Sequence, residues 1–192
     1  MKDRIDEWRL GFHDTWGGWK PGTGAEIADR LAAELADGTE AQARAREGIE
    51  AVDSRYDPTS SVMYASAVWV PHRETGQVYA FMEMELLVGS MSPEEYLARN
   101  RRPPRDRSIK LFHHDIAPGE VNAGPAVIGT RSFADKKTKS VWTSIHWTVF
   151  PPGAVEALEL SFATQVAAYA QTMSDESVKL VNSLSVTLGS AT

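Results

Sequence analysis

The stretch VYAFMEMELLV, residues 78–88, alternates along its whole length. Successive side chains of an extended chain point to opposite faces. Val78, Ala80, Met82, Met84, Leu86 and Val88 therefore share one face, and Tyr79, Phe81, Glu83, Glu85 and Leu87 share the other. A second stretch, VWTSIHWTV at residues 141–149, repeats the pattern, with Val141, Thr143, Ile145, Trp147 and Val149 opposed to Trp142, Ser144, His146 and Thr148. Each has an apolar row for a core and a mixed row for something else, the signature of antiparallel strands covered on one side.

Further strands follow outward from these two. Residues 62–70 (VMYASAVWV) are rich in β-branched and aromatic residues, and residues 71–76 read as the turn joining them to 78–88 in a long hairpin. Residues 127–133 and 141–150 form a second hairpin around Asp135-Lys136-Lys137. Residues 157–162 align Leu158, Leu160 and Phe162, and residues 109–113 suit a short strand.

Helix signals lie before, between and after. Ser92-Pro93-Glu94-Glu95 carries a capping Ser, Pro at the first helical position and the Glu of a capping box. Trp8, Phe12 and Trp16, spaced i, i+4, i+8, predict a short N-terminal helix stopped by Gly17-Gly18. Thr23, with Glu26 three residues on, would cap a helix carrying Ile27, Leu31 and Leu35 and ending at Gly38; Thr39 opens another through Val52, with Ala41, Ala45, Ile49 and Val52 on one stripe. Ser174 would cap a last helix burying Val178, Val181 and Leu184. The expectation is a single α+β domain over residues 1–192. It has a central antiparallel sheet of about six strands flanked by helices over 58–188, and an N-terminal helical hairpin within 1–56.

Composition narrows the function classes. The chain has 192 residues, 42% hydrophobic and 24% charged, enough to form a sizeable core. Its net charge of −6 disfavours nonspecific nucleic-acid binding and an electrostatic membrane-surface role. It has no cysteine, so disulfides, thiolate metal sites and thiol catalysis are excluded. That absence, with no signal-like start and no apolar run long enough to span a membrane, points to the cytoplasm.

The order of four features resembles the PsbP-like fold family: the Ser92-Pro93-Glu94-Glu95-Tyr96 helix after a strand hairpin, the hairpin around 135–139, the strand 157–162, and the closing helix ESVKLVNSL at 176–184. The resemblance covers roughly residues 58–188. Members include extrinsic photosystem proteins, a Ran-binding import factor and bacterial chaperones of secretion effectors. It implies an antiparallel sheet between helices and, most often, binding without catalysis. The family shares no catalytic motif to carry over.

Several groups are candidates for chemistry. His113-His114-Asp115 invites a metal, but neighbours on a strand face opposite ways, so no metal site and no cofactor are expected. Glu83 and Glu85 share a face. If Tyr79, Phe81, Trp142, His146 and Glu159 join them, the result is an aromatic-lined cleft with a few polar groups, as small-molecule sites have. The alternative is that these aromatics pack under the N-terminal helices. Five arginines fall within nine residues, Arg99 to Arg107, broken by Pro103-Pro104; they suit an acidic partner, a phosphate or a solvated loop. Exposed indoles at Trp8, Trp16 and Trp19 would serve as interface anchors beside Arg99, Arg101, Arg102 and Arg105. Phosphate-loop and G-x-S-x-G signatures are absent. The sequence therefore predicts a noncatalytic binding or adaptor protein that recognises a protein partner or self-associates. The alternative is a small-molecule-binding protein or enzyme using the cleft.

Overall fold

The structure is a computed structural model and describes residues 3–57, 63–89, 91–103 and 105–189. Val62, the start of one expected strand, and the tail after Gly189 lie outside these residues. The elements in chain order are β1 (Arg4–Arg9), β2 (Trp16–Trp19), α1 (Gly24–Leu35), α2 (Thr39–Asp53), β3 (Met63–Trp69), β4 (Ala80–Val88), α3 (Pro93–Asn100), β5 (Ile109–Val121), β6 (Gly124–Asp135), β7 (Val141–Val149), β8 (Glu156–Thr164), α4 (Ala170–Asn182) and β9 (Ser185–Gly189). Seven strands run in the order β2-β3-β4-β8-β7-β6-β5, and β1 pairs separately with β9. The class is α+β, as the sequence predicts. The chain divides into two compact units, Phe12–Glu85 and Met1–Gly11 with Leu86–Thr192, and the division falls within β4.

In the unit of residues 12–85, β2, β3 and β4 pair antiparallel. The expected helix through Trp8, Phe12 and Trp16 does not form; β1 and β2 precede the first helix, so the chain does not start with a helical hairpin. The cause lies in Gly17-Gly18. A Cβ on Gly17 would sit 2.6 Å from Leu35 Cδ1, and one on Gly18 would sit 2.2 Å from the Phe12 ring. These glycines let a strand approach its neighbours closely rather than stopping a helix. Trp16 and Trp69, opposite each other in register, stack with centroids 6.2 Å apart. The α2 stripe is as expected: Ala41, Ala45, Ile49 and Val52 are buried.

Thr23 does not cap α1. Its hydroxyl donates to Lys20 O (2.8 Å), and the α1 start is instead held by Asp53 at the end of α2. Asp53 accepts from Gly24 N (2.9 Å), Gly22 N (2.8 Å) and Trp19 Nε1 (2.8 Å). One carboxylate thus satisfies two orphan donors of a helix entry and a buried indole.

In the other unit, β5, β6, β7 and β8 form an antiparallel meander. Its apolar face carries Ile145, Trp147 and Val149 on β7 and Leu158, Leu160 and Phe162 on β8, all buried. Against it packs α4, through Met173, Ser177, Leu180 and Val181. Each large side chain buried this way contributes about 1.5–3 kcal/mol. The helix starts at Ala170, not after Ser174, and Val178 is 40% exposed. Ser177 takes the core position because its hydroxyl is fully used: it accepts from Trp147 Nε1 (3.0 Å) and donates to Ser174 O (2.7 Å). Leu184 is buried just beyond the helix, and the chain turns there into β9, a strand the helical periodicity concealed. β5 runs thirteen residues, far past the expected five. Pro118 lies on an edge strand, where alternate N–H groups face away from the ladder and proline is tolerated.

Candidate functional site

The face of the meander opposite α4 is polar. Cross-strand register places Ile116, Gly129, His146 and Ser161 in one row, and His114, Arg131, Ser144 and Ala163 in the next. Thr148 lies opposite Glu159 and Val127 in a third. Over β5 and β6 lies α3. Its capping box closes in both directions, Glu95 N to Ser92 Oγ (3.2 Å) and Ser92 N to Glu95 Oε2 (2.8 Å). This fixes the helix entry, and one residue further on Tyr96 reaches down and donates to Glu159 Oε2 (2.8 Å). The Tyr96 ring meets Phe150 edge-on at 5.8 Å. One turn later Asn100 O lies 3.1 Å from His114 Nε2. A carbonyl only accepts, so Nε2 carries the proton.

Glu159 is the centre of the network. Beside Tyr96, it accepts from Thr148 Oγ1 (3.3 Å) and Ser161 Oγ (3.4 Å), and His146 Nδ1 stands 3.6 Å from Oε1. Burial alone pushes its carboxyl up. The approach and charge of His146, then the hydroxyls of Tyr96 and Thr148, outweigh burial and bring it down to about 2. Burial and the negative charge of Glu159 push the Tyr96 hydroxyl up to about 12, against the Thr148 hydrogen bond. Tyr96 therefore stays a donor and Glu159 an acceptor across the whole physiological range.

His146 also contacts Ser144 Oγ through Nε2 (3.0 Å) and Ser161 Oγ through Nδ1 (2.8 Å). Ser144, His146 and Glu159 thus follow the sequence of contacts found in a catalytic triad. The surroundings do not continue that chemistry. Ser144 is 5% exposed in mid-strand, between β6 and β8, where its backbone serves the ladder rather than an oxyanion. A carboxylate held near 2 is a feeble base at neutral pH. The cluster reads as a closed structural network.

The space left under α3, lined by Tyr96, Asn100, His114, Gly129, Arg131 and Glu159 among others, is a cavity of about 20 Å3. That is room for a water or two or a single small polar group.

Of the residues proposed for a cleft, the structure brings His146 and Glu159 together. Trp142 lies on the same strand face as His146, half-buried opposite Phe133. Tyr79, Phe81, Glu83 and Glu85 belong to the other unit. There, Arg55 lies 4.1 Å over the Phe81 ring and 3.9 Å from Glu83, Tyr79 meets the edge of His72, and Glu85 is half-buried on β4. Trp16 and Trp19 are only 3% and 7% exposed, so both belong to the interior of their unit. Trp8 is half-buried in β1. Arg99, Arg101, Arg102 and Arg105 are exposed. His113 contacts Thr130 Oγ1 (3.1 Å), apart from His114. Among the described residues no three His, Asp or Glu side chains are arranged to hold a metal.

Sequence reasoning missed Tyr96, Arg131 and the serines. Ser144 and Thr148 were findable, since they alternate with His146. Arg131 carried a signal too: a charge in mid-strand, in register with Val127, Gly129 and Phe133.

No family model matches the chain, and no curated protein matches it. Among solved structures the chain is similar to LpqN, described as involved in cell envelope biogenesis of Mycobacterium tuberculosis. The TM-score is 0.50 at 13% identity, over 94% of this chain and 83% of that one. A Bacteroides thetaiotaomicron VPI-5482 crystal structure gives a TM-score of 0.45 at 12% identity, over 97% of this chain and 48% of that chain. This chain therefore spans about half the length of the Bacteroides protein. At these identities the likeness to LpqN is one of fold.

Proposed function

We propose that this chain is a noncatalytic binding protein that recognises an acidic protein partner through a cationic end of the meander. One observation carries the reading. Arg99, Arg101, Arg102, Arg105, Arg107, Lys110, Lys136, Lys137 and Lys139 gather where α3 ends, β5 begins and β6 turns into β7. Lys136 ties the pieces together, its N donating to Ser108 O (2.9 Å) and its Nζ to Arg107 O (2.7 Å). Among the described residues none of these nine cations makes an ion pair. Two nearby carboxylates are held by their own loops: Asp106 accepts from Ser108, and Asp135 from the amides of Lys137 and Thr138. A strong local positive field on a chain of net charge −6 favours steered association with a negative surface.

The PsbP-like resemblance supports binding without catalysis, and the order of α3, the β6–β7 hairpin, β8 and α4 is the one on which it rests. Cell envelope biogenesis, in which LpqN is involved, is the process we propose for the partner. No helix among the described residues is long and apolar enough to cross a membrane. Fractionation tests the cytoplasmic location expected from the sequence. The test of the surface is site-specific photo-crosslinking in cells. A crosslinker at position 105 captures a defined partner and one at exposed Ala25 on α1 does not; equal capture at both positions contradicts the reading.

A further inference from the structure

We propose that Arg131 is the receptor of a carboxylate that enters the space beneath α3, a ligand site separate from the cationic end. Arg131 stands on β6 between His114 on β5 and Ser144 on β7. Its planar guanidinium presents a fork of N–H donors that matches a carboxylate. Among the described residues it makes no hydrogen bond and no ion pair, and its Nε–H is buried without a partner. Among the described residues the one carboxylate on the cavity wall is Glu159, which is already engaged by Tyr96, Thr148 and Ser161 and forms no hydrogen bond or ion pair with Arg131. A positive and a negative charge thus line one cavity without a direct ion pair between them.

A second orphan lies beside the first. His114 Nδ1 is buried and unpartnered, while Nε2 is committed to Asn100 O. A carboxylate in this space satisfies the first, its oxygens accepting from Arg131. Space exists because position 129 has no side chain. A Cβ built there meets nothing closer than His146 Cβ at 3.9 Å, so the fold does not need a glycine at this point, whereas an open cavity does. The room suffices for a carboxylate group and not for a whole metabolite. The rest of the ligand therefore stays outside, and the carboxylate belongs either to a small acid or to an acidic residue of a peptide.

The experiment is an NMR titration of the full chain. Acetate is one probe, a blocked peptide amide with a single glutamate is the other, and chloride is the ionic control. Saturable shifts at the Gly129 and Ser144 amides and the Arg131 Nε–H are expected. Saturation by acetate points to small acids as ligands, and saturation by the peptide alone points to a partner's side chain. Arg131→Gln weakens binding roughly tenfold or more, as loss of a charge-assisted bond does. Gly129→Ala, for which the fold has room, weakens it as well by occupying the space. The Trp147 indole N–H, bonded to Ser177 on the opposite face, reports that each variant is folded. Shifts that grow linearly with either probe, as with chloride, overturn the proposal. So does unchanged affinity in the folded Arg131→Gln or Gly129→Ala protein.

Discussion

Tyr96 donates its phenolic proton to Glu159 across 2.8 Å, joining α3 to β8 over 63 residues of sequence. The helix has no fully buried residue of its own. This bond, the Phe150 contact and the His114–Asn100 bond position it over the meander. Tyr96→Phe should therefore cost about 1–3 kcal/mol, the range for leaving a buried charged acceptor short of a donor. Chemical denaturation measures it, and faster amide exchange in α3 than in α4 should accompany it.

The acid limb of stability should carry the mark of Glu159. Its folded carboxyl, near 2, lies below the ordinary 4.5. Stability from this group is complete above pH 4.5 and disappears as the pH falls through 4.5 toward 2, by about 3 kcal/mol in all. Glu159→Gln should flatten that limb. An identical acid profile in wild type and variant removes the network from the account.

The alkaline limb should show Tyr96. Raised to about 12 from 10, its neutral form is the one the fold favours. Its contribution is intact below pH 10 and vanishes as the pH climbs through 10 to 12. Ultraviolet titration should find one tyrosine ionising near 12, moving down toward 10 in Glu159→Gln.

Asp53 in the other unit is a separate test of the fold. With three donors on one carboxylate, Asp53→Ala should destabilise by about 2–3 kcal/mol. Asp53→Asn should recover part of that. Gly18→Ala, which drives a Cβ into the Phe12 ring, should cost about 1–3 kcal/mol.

The sheet was legible where period-2 alternation was complete. At 141–149 it separated Ile145, Trp147 and Val149 from Ser144, His146 and Thr148, and these are the two faces of β7 in the structure. At the N-terminus the i, i+4, i+8 spacing of Trp8, Phe12 and Trp16 misled. Trp16-Gly-Gly-Trp19 is four residues long, too short to show a period, and its glycines answer to Leu35 and Phe12, neighbours only in the fold. Asp53 acting as the cap of α1 could not be read locally, since it lies 29 residues from the amide it holds. The polar site was half-visible. His146 and Glu159 stand out as polar residues in strands, but Tyr96 joins them through a helix whose placement only tertiary packing sets.

The cationic end is tested most directly by quantitative co-purification from cells, comparing wild type with an Arg101→Glu, Arg102→Glu, Arg105→Glu variant at low and high salt. An acidic protein should be retained by wild type at low salt, released as salt screens the contact, and absent from the variant at both. Retention of the same proteins by wild type and variant, independent of salt, would contradict it.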